Sequence, residues 1–102
     1  MSDYLKQFGE ELKQNVPGYI AVAVTEIKSG ISYYSNSAVA DFDPELASAF
    51  NLEVVKAKLN AINALGLNDT IDDILINLSS QIHIIDVADN NEYFIYLAVD
   101  SA

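Results

Sequence analysis

The stretch DPELASAFNLEVVKAKLNAINALG, residues 43–66, decides the fold because it carries the longest helical signal in the chain. Asp43 is a suitable N-cap, since its carboxylate can accept hydrogen bonds from the first free backbone N–H groups. Pro44 suits the first helical position, where no N–H is needed, and Glu45 complements the positive end of the helix. Gly66 supplies a left-handed stop. The stretch therefore predicts one long helix with a defined beginning and end.

This helix is apolar on two faces. At about 100° per residue, one broad face collects seven apolar side chains: Leu46, Phe50, Val54, Ala57, Ala61, Ala64 and Leu65. A second stripe lies roughly opposite and consists of Leu52, Val55, Leu59 and Ile62. A surface helix needs only one apolar stripe, so either the helix is buried between two layers of one domain, or one face covers a sheet and the other meets a second subunit.

The rest of the chain predicts one further helix and five strands. Residues 3–16 repeat apolar side chains at helical spacing and end at Pro17-Gly18. The strands are predicted at 19–27, 31–35, 71–78, 81–87 and 93–99, which gives the order αββαβββ.

The pattern of the strands limits the sheet topology. Strands 19–27 and 93–99 are apolar on both alternating sets and should be central, whereas strand 31–35 is more polar and suits an edge. The last three strands most simply form a meander. Together these features predict an α+β fold with a five-stranded, mostly antiparallel sheet in the order 2-1-5-4-3.

Strand 71–78 then becomes the other edge, and its apolar side chains would favour aggregation if they stayed bare. Pairing with a symmetry mate would remove that hazard, so we expect a two-fold homodimer. In this prediction Phe50 and residues 57–64 face the sheet, although the reverse assignment of the helix faces is left open. The predicted interface consists of Leu52, Val55, Leu59, Ile62, Ile74, Ile76 and Leu78.

Composition excludes several classes of partner. Five lysines, no arginine and fifteen acidic residues give a formal charge of −10, which disfavours nucleic acid and anionic membrane surfaces. No apolar run approaches the roughly 18 residues of a membrane-spanning helix. Cysteine is absent. We expect one domain spanning residues 1–102 and a cytoplasmic location.

No pattern in the chain indicates catalysis, a cofactor or a metal site. His83 is the only histidine, and no cysteine or second histidine accompanies it, so we interpret it as structural. The acidic residues at 72–73 and 86–92 lack the spacing of a calcium-binding loop, and the four glycines form no phosphate-binding run. Tyr33 and Tyr34 are candidates for contact with a partner.

Three stretches resemble the roadblock/LC7 family, the dynein light-chain type of domain that is also found in bacteria and archaea. They are VPGYIAVAVTEIKSG (16–30), ALGLNDTIDDILINLSS (64–80) and YFIYLAVDSA (93–102). Together with the order and spacing of the elements, they make nearly the whole chain similar to that family. Longin and profilin-like folds are structural neighbours of it.

The resemblance implies a dimeric platform, and several roadblock proteins bind or regulate Ras-like small GTPases. Since the chain has no arginine, it cannot donate an arginine finger to such an enzyme. A structural adaptor that binds another protein's helix without nucleotide dependence is the alternative, and an enzyme or ligand-sensing domain is a third class.

One departure from the family concerns the end of the chain. The family pattern continues past the last strand into a C-terminal helix, whereas this sequence stops at Ala102, where that helix would begin. The helix is therefore expected to be truncated or absent. In its absence, part of the sheet beside the first helix should be uncovered and available to a partner segment.

Overall fold

The structure, a computed structural model, describes residues 2–101. Its seven elements follow the predicted order, and the sheet order β2-β1-β5-β4-β3 confirms the predicted topology. All four pairings between neighbouring strands are antiparallel. The elements are α1 (Ser2–Asn15), β1 (Tyr19–Glu26), β2 (Ser32–Ser37), α2 (Pro44–Ala64), β3 (Asp73–Asn77), β4 (Gln81–Val87) and β5 (Tyr93–Asp100).

Both ends of α2 are closed as the sequence predicts. The Asp43 side chain accepts hydrogen bonds from the backbone N–H groups of Glu45 and Leu46, each at 3.1 Å. At the other end Gly66 has a φ of 66°, and the N–H groups of Gly66 and Leu67 donate to carbonyls in the last turn of the helix. This pair of hydrogen bonds is a Schellman motif. Its left-handed position favours glycine, which has no Cβ to clash with the backbone.

The predicted assignment of the α2 faces is wrong. Val55 is completely buried and Leu52 nearly so, within a core that β1, β4 and β5 supply from the sheet. Leu59 packs against the same core, whereas Phe50, which was expected to face the sheet, is 69% exposed. Leu52 and Val55 are therefore buried in the core of the protomer and cannot contact a second subunit.

A buried polar pair explains which stripe turns inward. The hydroxyl groups of Thr25 on β1 and Ser48 on α2 lie 2.6 Å apart, and both residues are buried. Buried polar groups need hydrogen-bond partners, and the alanine-rich stripe of α2 offers none to Thr25. Ser48 lies on the stripe with Leu52 and Val55, so the hydrogen bond and the larger aliphatic side chains select the same orientation.

α1 packs on the opposite face of the sheet, above β1 and β2. Gly9 is buried against the Tyr34 ring, and a side chain at this position would overlap that ring. The tyrosine therefore belongs to the packing between α1 and β2.

Two adjacent valines of α2 test this orientation, because Val55 is fully buried and Val54 is exposed. We predict that Val55→Asp unfolds the domain, since an unpaired buried charge costs several kcal/mol, a large part of a typical domain stability of about 5–15 kcal/mol. Val54→Asp, the matched control, should retain the wild-type far-UV circular dichroism spectrum. Equal thermal melting of the two variants would contradict the orientation.

The buried hydroxyl pair gives a second prediction. Ser48→Ala should lower the free energy of unfolding by about 1–3 kcal/mol, because it leaves the Thr25 hydroxyl buried without its partner. Adding Thr25→Val to Ser48→Ala should recover most of that loss, since both polar groups are then gone. Urea unfolding of the two single variants and the double variant measures the coupling, and simple additivity would show that the pair does not act as a unit.

Candidate interaction surfaces

The outward face of α2 is the first candidate surface, and we call it the α2 stripe. Leu46 is 56% exposed, and Phe50 and Val54 follow it at four-residue intervals, so the three side chains lie along one side of the helix. Small or apolar side chains continue the same side to the end of the helix. The α2 stripe comprises Leu46, Phe50, Val54, Ala57, Ala61, Ala64 and Leu65.

The free edge of β3 is the second candidate surface. β3 pairs with β4 on one side, and no strand of the described residues 2–101 pairs with its other side. Ile74 and Ile76 are half-buried on the side of the sheet that α2 covers, and Ile74 packs against the core. Leu78, just beyond the strand, is exposed. Ile62 on α2, also predicted for the interface, is half-buried.

Tyr33 and Tyr34 differ in their surroundings. The pairing of β1 with β2 passes from Tyr34 directly to Ser32, so Tyr33 is the extra residue of a bulge. The Tyr33 hydroxyl donates to Glu26 at 2.6 Å, which raises the pKa of the tyrosine. Hydrogen bonds from Ser29 and Tyr33 lower the pKa of Glu26. Tyr33 is 41% exposed, whereas Tyr34 packs against Gly9 of α1.

A cavity of about 330 Å³ lies between the beginning of α1 and the sheet. Its walls are mainly apolar and aromatic, and Glu92 is the one carboxylate among them. The lining residues are Tyr4, Leu5, Phe8, Val24, Tyr33, Glu92, Tyr93 and Ile95.

His83 lies in a small aromatic and polar cluster on the face that α2 covers. Its Nε2 is 2.9 Å from the Gln81 Oε1, and its ring meets the Tyr96 ring edge-on at 5.2 Å. Burial lowers the pKa of His83 and raises the pKa of Tyr96 to about 12. These contacts give the histidine a packing role.

Aspartates gather where β3 and β4 lie side by side. Partial burial raises the pKa of Asp86, and the neighbouring Asp73, Asp89 and Asp72 raise it further. Across residues 2–101, no three histidine, aspartate or glutamate side chains are arranged to hold a metal ion. Within the same residues, no helix is both long enough and apolar enough to cross a membrane.

Sequence reasoning missed the α2 stripe as a free surface and assigned it to the sheet. Both stripes are apolar, so their composition does not indicate which of them packs on the sheet. The one available signal was polar: Ser48 and Asn51 share the inner stripe, and both are buried in the structure. The Asn51 side chain donates to the Ala47 carbonyl at 3.0 Å, which satisfies one of its N–H groups within the helix.

Comparison with known proteins adds a likeness in structure and none in sequence. No family model matches the chain, and no curated protein sequence matches it. Among solved structures, Myxococcus xanthus MglB aligns with a TM-score of 0.82 at 10% identity, over 98% of this chain and 72% of that one. A roadblock/LC7 domain from Streptomyces avermitilis aligns with a TM-score of 0.77 at 13% identity, over 92% and 76% of the two chains.

The gliding protein MglB from Thermus thermophilus also has a TM-score of 0.77, at 14% identity, over 97% of this chain and 73% of that one. These alignments cover between 92% and 98% of this chain. The chain has the roadblock/LC7 fold.

Proposed function

We propose that this protein is a non-enzymatic, homodimeric regulatory platform that binds a Ras-like small GTPase. The observation that carries the proposal is the α2 stripe, an apolar surface along the full outer side of the longest helix. The fold supports it, because several roadblock proteins bind or regulate small GTPases.

The α2 stripe has the composition of a helix–helix interface. Leu46, Phe50 and Val54 provide large apolar side chains in its first half, and alanines in the second half allow two helices to approach closely. Exposure of such a stripe to water is unfavourable by about 25 cal/mol per Å² of apolar surface, and a second copy would bury it. One solved relative in fold, described as MglB with tetrameric arrangement, is itself an assembly of several subunits.

The edge of β3 supports the same symmetry. A two-fold partner would satisfy the free backbone groups of β3 while it covers the α2 stripe, so that Ile74, Ile76 and Leu78 stay in the proposed interface. Leu46, Phe50 and Val54 replace the inner-stripe residues as the helix contribution.

The chemistry of the chain limits how it can act on a GTPase. With no arginine, the protein cannot supply the cation that stabilises the transition state in arginine-finger activation. Regulation would then act by ordering the GTPase's own catalytic residues or by placing the enzyme in a complex. Tyr33 is the better of the two tyrosine candidates for contact, because Tyr34 is packed against α1.

The alternative is a structural adaptor that binds another protein's helix without dependence on nucleotide. It uses the same dimer, so the response to nucleotide separates the two functions.

The dimer is tested with Phe50→Asp, which places a charge in the middle of the α2 stripe. We expect this variant to be monomeric at micromolar concentration by size-exclusion chromatography with light scattering, whereas the wild type is dimeric. Asn60→Asp adds the same charge at an exposed position outside the stripe and should remain dimeric. A monomeric wild type would contradict the proposal directly.

The partner is tested by immobilising the wild-type dimer and passing over it cell extract loaded with a non-hydrolysable GTP analogue or with GDP. A Ras-like GTPase, identified by mass spectrometry, should be retained in one nucleotide state several-fold more than in the other. Phe50→Asp protein serves as the matched control, because it keeps the fold and lacks the dimer platform. Equal retention in both nucleotide states would favour the adaptor, and retention of no GTPase in either state would count against regulation.

A further inference from the structure

The sheet has one face that its own helices cover only in part. α2 covers one face of the sheet. On the other face α1 packs against β1 and β2, and β3, β4 and β5 are not covered by a helix of the described residues. The strand pairing places Val22, Leu97, Ile84 and Leu75 in one row across the sheet on this side. Val22 is fully buried, the next two are half-buried, and Leu75 is 61% exposed. Exposure thus increases with distance from α1.

We call this uncovered area the open face. Neighbouring positions on β4 and β5 are also apolar, so the row is part of a wider apolar surface rather than a single exposed leucine. The open face comprises Leu75, Ile82, Ile84, Ile95, Leu97 and Val99. At Ile95 it meets the cavity beside α1, whose walls include Tyr93 and Glu92.

The three strands that form the open face contain aspartate and no lysine. The last lysine of the chain is Lys58, and the residues after it include seven carboxylates. The row next to Leu97, Ile84 and Leu75 consists of Val24, Ile95, Asp86 and Asp73, so two carboxylates border the apolar area. The raised pKa of Asp86 shows that burial and its acidic neighbours disfavour its charged form.

We propose that the open face is the docking site for a basic amphipathic helix of a partner protein. The helix would lie beside α1, place apolar side chains over Leu97, Ile84 and Leu75, and direct lysine or arginine towards Asp73 and Asp86. A long side chain of the partner would enter the cavity, where aromatic walls suit its stem and Glu92 suits a cation.

Geometry and charge favour this occupant over others. A sheet face offers side chains and no free backbone groups, so a helix suits it and an added strand does not. A second copy placed open face to open face would set Asp73 and Asp86 of both copies close together, and anionic lipid would be repelled by the same carboxylates. The open face and the α2 stripe lie on opposite sides of the sheet, so this site does not depend on the proposed dimer or GTPase.

The test uses two synthetic helical peptides of 14 residues, the length of α1. One carries leucine on one face and lysine on the other, and its control carries glutamate in place of lysine. Titration of the lysine peptide into isotopically labelled full-length protein should shift the amide resonances of β3, β4 and β5 around Leu75, Ile84 and Leu97. The glutamate peptide should leave them unchanged, and added salt should weaken the binding.

Matched variants locate the contact. Leu75→Lys should weaken binding of the lysine peptide by about tenfold, because it removes an apolar contact and adds a like charge. Asp73→Asn should weaken it less, by about two- to fivefold. Leu67→Lys, at a leucine that is 49% exposed just after α2 and outside the α2 stripe, makes the same chemical change elsewhere and should leave the affinity unchanged. The amide spectrum of each free variant checks that the fold is retained.

Several results would overturn the proposal. Equal binding of the two peptides would contradict the predicted role of charge. A stronger effect of Leu67→Lys than of Leu75→Lys would place the contact outside the open face. Open-face resonances that shift with protein concentration alone would identify a second copy as the occupant. Shifts of the same resonances with anionic vesicles, and not with the lysine peptide, would identify a membrane. None of these results affects the dimer test, which measures the oligomeric state of the Phe50→Asp variant, a change on the other side of the sheet.

Discussion

The packing of the inner stripe of α2 on the sheet is the contact on which the other features depend. Val55 and Leu52 complete the core, and the Thr25–Ser48 hydrogen bond determines the rotation of the helix about its axis. A buried polar pair adds little net stability, and leaving one member unpaired is expensive, so its main effect is to exclude the other rotation. Once the inner stripe is chosen, the outer stripe of leucine, phenylalanine, valine and alanine must be exposed in the isolated chain.

The two exposed surfaces have different characters. The α2 stripe follows one helix and lies beside no concentration of charge of one sign, because α2 itself carries both lysine and glutamate. The open face has Asp73 and Asp86 along one side, and its three strands contain no lysine. An uncharged stripe suits a copy of the same chain, whereas an acidic border requires a partner of opposite charge. The protein therefore has two apolar surfaces with different surrounding charge, on opposite sides of one sheet.

Most of the fold could be predicted from the sequence because the signals were local. Asp43, Pro44 and Gly66 mark the ends of α2, and alternation in the strands separates the central strands from the edges. The rotation of α2 could not be predicted, since both stripes are apolar and the deciding partner, Thr25, is 23 residues away in the chain. The bulge at Tyr33 was also missed, because a bulge depends on the pairing with β1 and has no signal in the short segment ISYYS.

The opposite pKa shifts of Asp86 and Glu26 have a consequence for the response of the fold to acid. Asp86 has a raised pKa in the folded state, so its charge opposes folding at neutral pH, and this penalty is relieved as the pH falls through that pKa. Glu26 has a lowered pKa, so its hydrogen bonds favour folding above the ordinary glutamate range and that contribution is lost as the pH falls through the lowered value. On acidification the change at Asp86 therefore favours the folded state and the change at Glu26 disfavours it, so the two carboxylates affect stability in opposite directions.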